Sequence, residues 1–157
     1  NEYGHGKSVA EGLFRQGNKL GIRRGCKFSI VRGGNVWNSR GSVVERWARA
    51  HKENRLLFLS DPDTTRFFIH MEDWTACCWR AMREMHGGEI FIPKIPTMGI
   101  IDLAEVIAPG MARKVIGVRP GEKIHEVMIS EDDSPLTRAS IGCPEASSKR
   151  ILDQRGV

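Results

Sequence analysis

Cysteine is scarce in this 157-residue chain and poorly spaced for chemistry. Cys26, Cys77, Cys78 and Cys143 include no Cys-x-x-Cys pair, which argues against a zinc site or a disulfide framework and favours a reducing, cytoplasmic setting. His5, His51, His70 and His86 have no ligand spacing with any cysteine, and His125-Glu126 lacks the second histidine of a metalloprotease helix, so no metal is expected. Nor is there a stretch of about 18 uncharged apolar residues, which excludes a membrane-spanning helix from the expectations. No charged start followed by an apolar segment marks a signal peptide. Tyrosine occurs once, at Tyr3, and the chain opens on Asn1 instead of methionine, with helix-compatible sequence at once. The expectation is that a longer chain has been cut.

What is present is ordinary for one globular domain: 40% hydrophobic and 27% charged residues, which fit neither a disordered nor a collagen-like chain. Basic residues outnumber acidic ones 24 to 19, a net charge of +5 that favours anionic partners such as phosphates. Arg23-Arg24 and the group Arg46, Arg49 and Lys52 come without a nucleic-acid-binding motif and read as solvated faces, so nucleic acid is not expected.

Helical and extended patterns alternate. A first helix over 1–20 places Val9, Leu13, Phe14 and Gly17 on one face, and a strand over 27–32 leads into the glycine-containing loop 33–42. Ser42 caps a helix over 43–54 whose apolar positions are Val43, Val44, Trp47 and Ala48. A short strand over 56–59 ends in the turn Ser60-Asp61-Pro62-Asp63. Beyond it come a helix over 71–85, whose Cys77-Cys78 and tryptophans read as core and flank, a strand over 89–93, and a helix over 100–108 that starts near Thr97 and stops before Pro109. A strand over 114–118 and a last helix over 121–129 complete the pattern. The alternation predicts an α/β fold with parallel pairing. From about residue 138 to Val157 the pattern fades into serine, glycine, proline and charges, which predicts a poorly ordered tail.

Tyr3 and Lys7 stand four residues apart on the first helix and so project from one face. A phenol with a pKa of about 10 is a poor base at neutral pH, and a neighbouring ammonium stabilises its phenolate. Further along lie Val31-Arg32-x-Gly34-Asn35-Val36, Ser39-Arg40-Gly41-Ser42-Val43, Asp61-x-x-x-Thr65-Arg66-Phe67-Phe68, Gly87-Gly88-Glu89-Ile90-Phe91 and Arg119-Pro120-Gly121-Glu122-Lys123-Ile124-His125-Glu126. Taken in this order over residues 1–137, the set resembles the inverting UDP-N-acetylglucosamine 4,6-dehydratases, extended short-chain dehydrogenases of bacterial surface-sugar biosynthesis. The stretches Ile92-Pro93-Lys94-Ile95-Pro96 and Ile129-Ser130-Glu131-Asp132-Asp133 look like the branch that opens pseudaminic acid synthesis for flagellin glycosylation.

The resemblance implies the C-terminal part of an extended Rossmann-type enzyme, with NAD or NADP as cofactor, a UDP-sugar as substrate and a homo-oligomer when full length. Residues 1–137 would comprise the end of the Rossmann domain and the substrate-binding region. In such enzymes hydride leaves sugar carbon 4 as the 4-hydroxyl loses its proton, water is eliminated across carbons 5 and 6 with inversion at carbon 5, and hydride returns to carbon 6. Tyr3 would be the active-site tyrosine and Lys7 would hold the cofactor ribose. Gly34, Asn35 and Val36 would border the nicotinamide and the sugar. Arg66 and Arg119 would suit the diphosphate, Glu122 the ribose hydroxyls, and Arg40 a phosphate, since a guanidinium offers planar paired donors and a helix start favours anions.

The sequence also departs from the family. The glycine-rich dinucleotide fingerprint occurs nowhere in it, nor does the family's Asp-Lys pair for the elimination, which would precede Tyr3. The N-terminal Rossmann half is therefore expected to be absent and the chain by itself inactive. Gly33 stands in place of an aromatic residue, Asn38 in place of glycine and Thr64 in place of methionine. An epimerase of the same fold would share the tyrosine and lysine without the elimination residues, and a non-catalytic nucleotide-binding module is the alternative from another class.

Overall fold

Short strands and longer helices do alternate along the chain, in a computed structural model that describes residues 2–139, the side chains of residues 2 and 3 excepted. Of the tail expected from residue 138, positions 140–157 and with them Cys143 lie outside the described residues. Three strand pairs are parallel, as expected: β1 (Ile30–Val31) with β5 (Ile90–Phe91), β2 (Asn35–Val36) with β4 (Thr65–Ile69), and β3 (Leu57–Leu59) with β7 (Arg113–Val115). One pairing is antiparallel, between β4 and β6 (Thr97–Gly99).

Neither β4 nor β6 is predicted by the periodicity. In β4 no apolar–polar alternation appears, because Phe68 and Ile69 are both buried and Thr65, Arg66 and Phe67 half-buried; strands covered on both sides lose the period of two. Thr97 belongs to β6, and the helix that follows, α4 (Ile100–Ile107), begins only after Gly99.

The core lies where α2 (Val43–Lys52) and α4 meet β3 and β4. Val44, Trp47 and Ala50 from α2 pack with Leu57, Leu59, Phe68, Ile100, Leu103, Ala104 and Ala108. Leu57 and Leu59 point inward while Phe58 between them is exposed, the alternation of a strand with one buried face. Trp37 closes the cluster edge-on against Phe68, ring centroids 5.7 Å apart. Ser42 caps α2 as predicted, its hydroxyl accepting the Glu45 amide at 3.3 Å, and the Glu45 carboxylate reaches back to the Gly41 amide. The negative charge favoured at that helix start is thus supplied by the chain itself. Helix α3 (Met71–Glu84) buries Cys77 and Ala81 and leaves Trp79 exposed, so its cysteines and tryptophans are core and flank.

Two expectations are corrected. The face of α1 (Glu2–Gly21) that packs is not the one carrying Val9 and Leu13, which are 62% and 67% exposed. The inner stripe runs through Glu11, Phe14, Asn18 and Gly21: Glu11 accepts from Arg32, Phe14 lies against Phe28, the Asn18 carbonyl oxygen accepts the Phe28 amide at 3.1 Å, and Gly21 fits against Phe28 and Cys26. Steps of three and four residues make this a single helical stripe, and its polar anchors decide the orientation because hydrogen-bonding groups enclosed without partners are costly. The helix expected over 121–129 does not form. There Ile124 accepts the Thr65 amide at 3.0 Å and His125 bridges to Thr65 in parallel register, so pairing with β4 overrides local helix propensity.

Leu103 is fully buried, and Leu103→Ala is expected to cost about 2–5 kcal/mol in denaturant unfolding, whereas Phe58→Ser should cost far less. A second expectation concerns Glu89, which precedes β5. Burial works to raise its carboxyl, but the Ser29 hydroxyl and the amides of Glu89, His86 and Gly87 outweigh it and hold the pKa at about 2, below the ordinary 4.5. A depressed carboxyl contributes stability above its unfolded pKa and loses it as pH falls toward the folded value. Glu89→Gln should therefore lower the melting temperature at pH 7, and the gap from wild type should close as pH falls from about 4.5 to 2.

Candidate functional site

Of the residues that the sequence marks for chemistry, Gly34, Asn35, Val36, Arg66, Arg119 and Glu122 gather along β4, while Tyr3, Lys7 and Arg40 lie elsewhere. At one end, the Arg66 side chain is only 14% exposed and its guanidinium is fully engaged. It donates to the Thr65 and Ile124 carbonyl oxygens at 2.8 and 2.9 Å and to Glu122 Oε1 at 3.1 Å, and its Nε lies 3.5 Å from Glu126 Oε1. Glu122 in turn accepts the Arg119 amide at 3.3 Å, and Thr65 Oγ1 lies 2.9 Å from His125 Nδ1. Arg66, Arg119 and Glu122 therefore come together as their motifs suggest. They do so as a network in which Arg66 is satisfied by protein groups, not as a row of open donors. The Arg119 side chain is exposed and, among the described residues, makes no hydrogen bond or ion pair.

One residue further along β4, Phe67 receives the loop 33–36. Asn35 Nδ2 donates to the Phe67 carbonyl oxygen at 3.2 Å, and Asn35 and Val36 pair with Phe68 and Ile69. Asn35 is thus a strand residue with an exposed side chain, not a turn residue. Gly34 is required by close approach: a β-carbon there would stand 2.6 Å from the Phe67 oxygen and 2.9 Å from Ile95 Cδ1. Arg40 is exposed on the loop before α2.

Two of the departures from the family acquire a physical reason. A β-carbon at Gly33 would fall 1.5 Å from Trp74 Cζ3, so an indole from α3 fills the place where the side chain of residue 33 would project. Asn38 adopts a left-handed φ of +50°, the conformation that glycine adopts freely and asparagine tolerates best among other residues. Thr64 is buried, and its carbonyl oxygen accepts the Ile100 amide at 2.8 Å, starting α4.

Tyr3 and Lys7 lie on the first two turns of α1; the Tyr3 side chain is outside the described residues and Lys7 is exposed. One turn beyond, Glu11 takes both Nε and Nη2 of Arg32 at 3.0 and 2.7 Å, while Arg32 Nη1 donates to the Met128 carbonyl oxygen and to Asp133, each at 2.9 Å. The Glu11 carboxylate raises the Arg32 pKa against the opposing effect of burial. The Arg32 guanidinium and the Ser130 hydroxyl hold the Asp133 carboxyl below its usual range. None of Glu11, Glu126 and Asp133 is marked for a site by the sequence, and Trp74 reads there only as core or flank. The spacing of Glu11 four residues after Lys7 was the one signal available.

Among the described residues no cluster of histidine, cysteine and carboxylates could hold a metal, and no helix is long and apolar enough to cross a membrane. The arrangement is a network of charged and hydrogen-bonding groups at one end of β4, with the exposed Arg119 beside it and a close-packed loop next to it.

Comparison with known proteins matches residues 1–141 to the polysaccharide biosynthesis protein family. The UDP-N-acetylglucosamine 4,6-dehydratase (inverting) of Campylobacter jejuni is 46% identical over 138 residues, covering 87% of this chain and 41% of that protein. The chain thus spans less than half the length of this curated relative. Among solved structures, Pen from Bacillus thuringiensis superposes with a TM-score of 0.80 at 33% identity, over 85% of this chain and 44% of that one. DesIV, a dTDP-glucose 4,6-dehydratase from Streptomyces venezuelae solved with NAD bound, superposes with a TM-score of 0.67 at 13% identity, over 83% and 42%. The latter likeness concerns the fold alone, an α/β arrangement that fits part of a Rossmann-type domain.

The Gly33–Trp74 contact generates a prediction. Gly33→Ala should cost about 1–3 kcal/mol because the ring cannot share the space, and in a Trp74→Ala background the same substitution should be nearly neutral. A double-mutant cycle by chemical denaturation measures the coupling.

Proposed function

The chain belongs to the polysaccharide biosynthesis protein family, and on that premise we propose that it is the nucleotide-sugar-binding portion of an inverting UDP-N-acetylglucosamine 4,6-dehydratase. The observation that carries the reading is the convergence on β4: Arg66 binds Glu122 in the segment that also holds Arg119, while the neighbouring Phe67 holds Asn35. Residues far apart in sequence, which the resemblance assigns to the diphosphate, the ribose and the sugar, are joined through adjacent positions of one strand.

In this reading Arg119 is the cation that reaches the diphosphate. Arg66 fixes Glu122 and the 122–126 segment, so that the Glu122 carboxylate faces the nucleotide in one orientation. Asn35, aligned by its bond to Phe67, borders the sugar. Tyr3 takes and returns the proton of the sugar 4-hydroxyl, and Lys7, one helical turn on, stabilises the phenolate and holds the cofactor ribose. The donor set suits the ribose and nicotinamide end of NAD or NADP, for which Lys7 and residues 34–36 would supply the contacts; when bound, the dinucleotide supplies hydride acceptance and return. Residues 1–137 form the working unit, and a cytoplasmic homo-oligomer serving surface-sugar or flagellin-glycan synthesis is the setting we infer.

Because the dinucleotide fingerprint and the elimination pair are not among these 157 residues, the chain by itself is expected not to release water from UDP-N-acetylglucosamine with added NAD or NADP, as read by mass analysis. Binding of UDP is the positive test. Losing a charge-assisted contact costs roughly 1.5–3 kcal/mol, so Arg119→Ala should weaken UDP binding by about tenfold or more in calorimetry, with the melting temperature unchanged. Arg66→Ala should weaken binding and lower the melting temperature together, because it strands Glu122 and Glu126. Equal UDP affinity in wild type and Arg119→Ala would return Arg119 to the solvated surface.

A further inference from the structure

Tyr3, Lys7 and Glu11 follow one another at four-residue spacing, and so lie on one stripe of α1. The packed residues Phe14, Asn18 and Gly21 continue that same stripe. Glu11 has a charged partner off the helix, Arg32, the residue immediately before the loop 33–36. The Arg32 side chain is 21% exposed and spends both arms of its fork: Nε and Nη2 go to Glu11, and Nη1 goes to Met128 and Asp133. Three segments distant in sequence are thereby tied at one guanidinium.

The placement has an electrostatic consequence for the residue one turn away. A carboxylate four residues after a lysine on a helix is its natural ion-pair partner. Such a charge acts against the lysine's effect on a phenol at the preceding turn, since a nearby anion disfavours phenolate as much as a cation favours it. With Arg32 on both of its oxygens, Glu11 presents a neutralised pair instead of a bare negative charge. The charged groups around it are Lys7 and Arg15 one turn to either side on α1, Arg32 from the exit of β1, and Asp133 from the 128–133 loop, the last of which faces the opposite arm of Arg32.

We propose that Arg32 is a positioning residue for the Tyr3–Lys7 pair: by gripping Glu11 it fixes the rotation of α1 relative to the exit of β1 that leads into the loop 33–36, and it cancels the carboxylate that opposes Lys7. The proposal rests on the reading of Tyr3 and Lys7 given above, and the test separates the two.

Tyr3 is the only tyrosine in the chain, so the near-ultraviolet absorbance of phenolate titrates it alone. In the full chain at low ionic strength, Lys7→Met should raise its pKa. Arg32→Gln, which keeps an amide donor and removes the charge, should raise it by roughly 0.3–0.5 unit, the scale of one exposed charge acting across about two helical turns. Glu11→Gln should not raise it, and the double variant Arg32→Gln/Glu11→Gln should return it to the wild-type value. An arginine that merely scaffolds predicts the opposite pattern: Glu11→Gln would raise the pKa as much as Arg32→Gln does, and the double variant would be no better than either. That result, or no shift in Arg32→Gln, overturns the proposal. If Arg32→Gln does not fold, the sign of the shift in Glu11→Gln decides alone. If Lys7→Met leaves the tyrosine unmoved, the Tyr3–Lys7 reading itself fails, and the role given to Arg32 falls with it.

Discussion

A single five-residue strand, Thr65–Ile69, carries the connections on which the described structure depends. On one edge it pairs with Asn35 and Val36 and, at Thr65, with His125; on the other it pairs with Thr97, Met98 and Gly99. Phe68 enters the hydrophobic core while Arg66 gathers Ile124, Glu122 and Glu126. The strand that anchors the core therefore also sets the spacing of the candidate site, so packing and binding geometry are coupled. A change at Arg66 cannot be confined to ligand contacts, because the half-buried guanidinium offsets the charge of two carboxylates and binds the Thr65 and Ile124 carbonyl oxygens.

Arginine serves twice as the joint between distant segments. Arg66 ties β4 to residues 122–126, and Arg32 ties the exit of β1 to α1 and to the 128–133 loop. In both cases the planar fork binds a carboxylate and a main-chain carbonyl together, which a lysine cannot reproduce. The stretch 119–137, which has little regular structure of its own, is held at both places by side chains from the parallel-strand region. Glu89 performs a related task for the turn before β5, accepting from Ser29 and from the amides of His86 and Gly87.

Much of this was legible in the sequence, for identifiable reasons. The helices α2, α3 and α4 declare themselves by apolar spacing, by the Ser42 cap and by the stop before Pro109, because those signals act over a few residues. β4 was not legible as a strand, since its burial on both sides removes alternation. Nor was the failure of a helix over 121–129, because the competing partner, Thr65, lies 60 residues earlier. The inner face of α1 misleads a reading by hydrophobicity: its anchors are Glu11 and Asn18, while Val9 and Leu13 stay exposed. For the site, the motifs named Arg66, Arg119 and Glu122 as a group, but not that Arg66 would be spent on Glu122. The exchange at Gly33 was also out of reach, since the compensating indole of Trp74 comes from another element.

The central claim is that one strand aligns the residues that bind a UDP-sugar. Amide chemical shifts of the isotope-labelled chain, followed by nuclear magnetic resonance as UDP-N-acetylglucosamine is added, test it most directly. The account predicts saturable shifts concentrated at residues 34–36, 65–67 and 119–125, with the solvated face of α2 around Arg49 and Lys52 unmoved. Shifts confined to that basic face, or none at β4 and its neighbours, would contradict it.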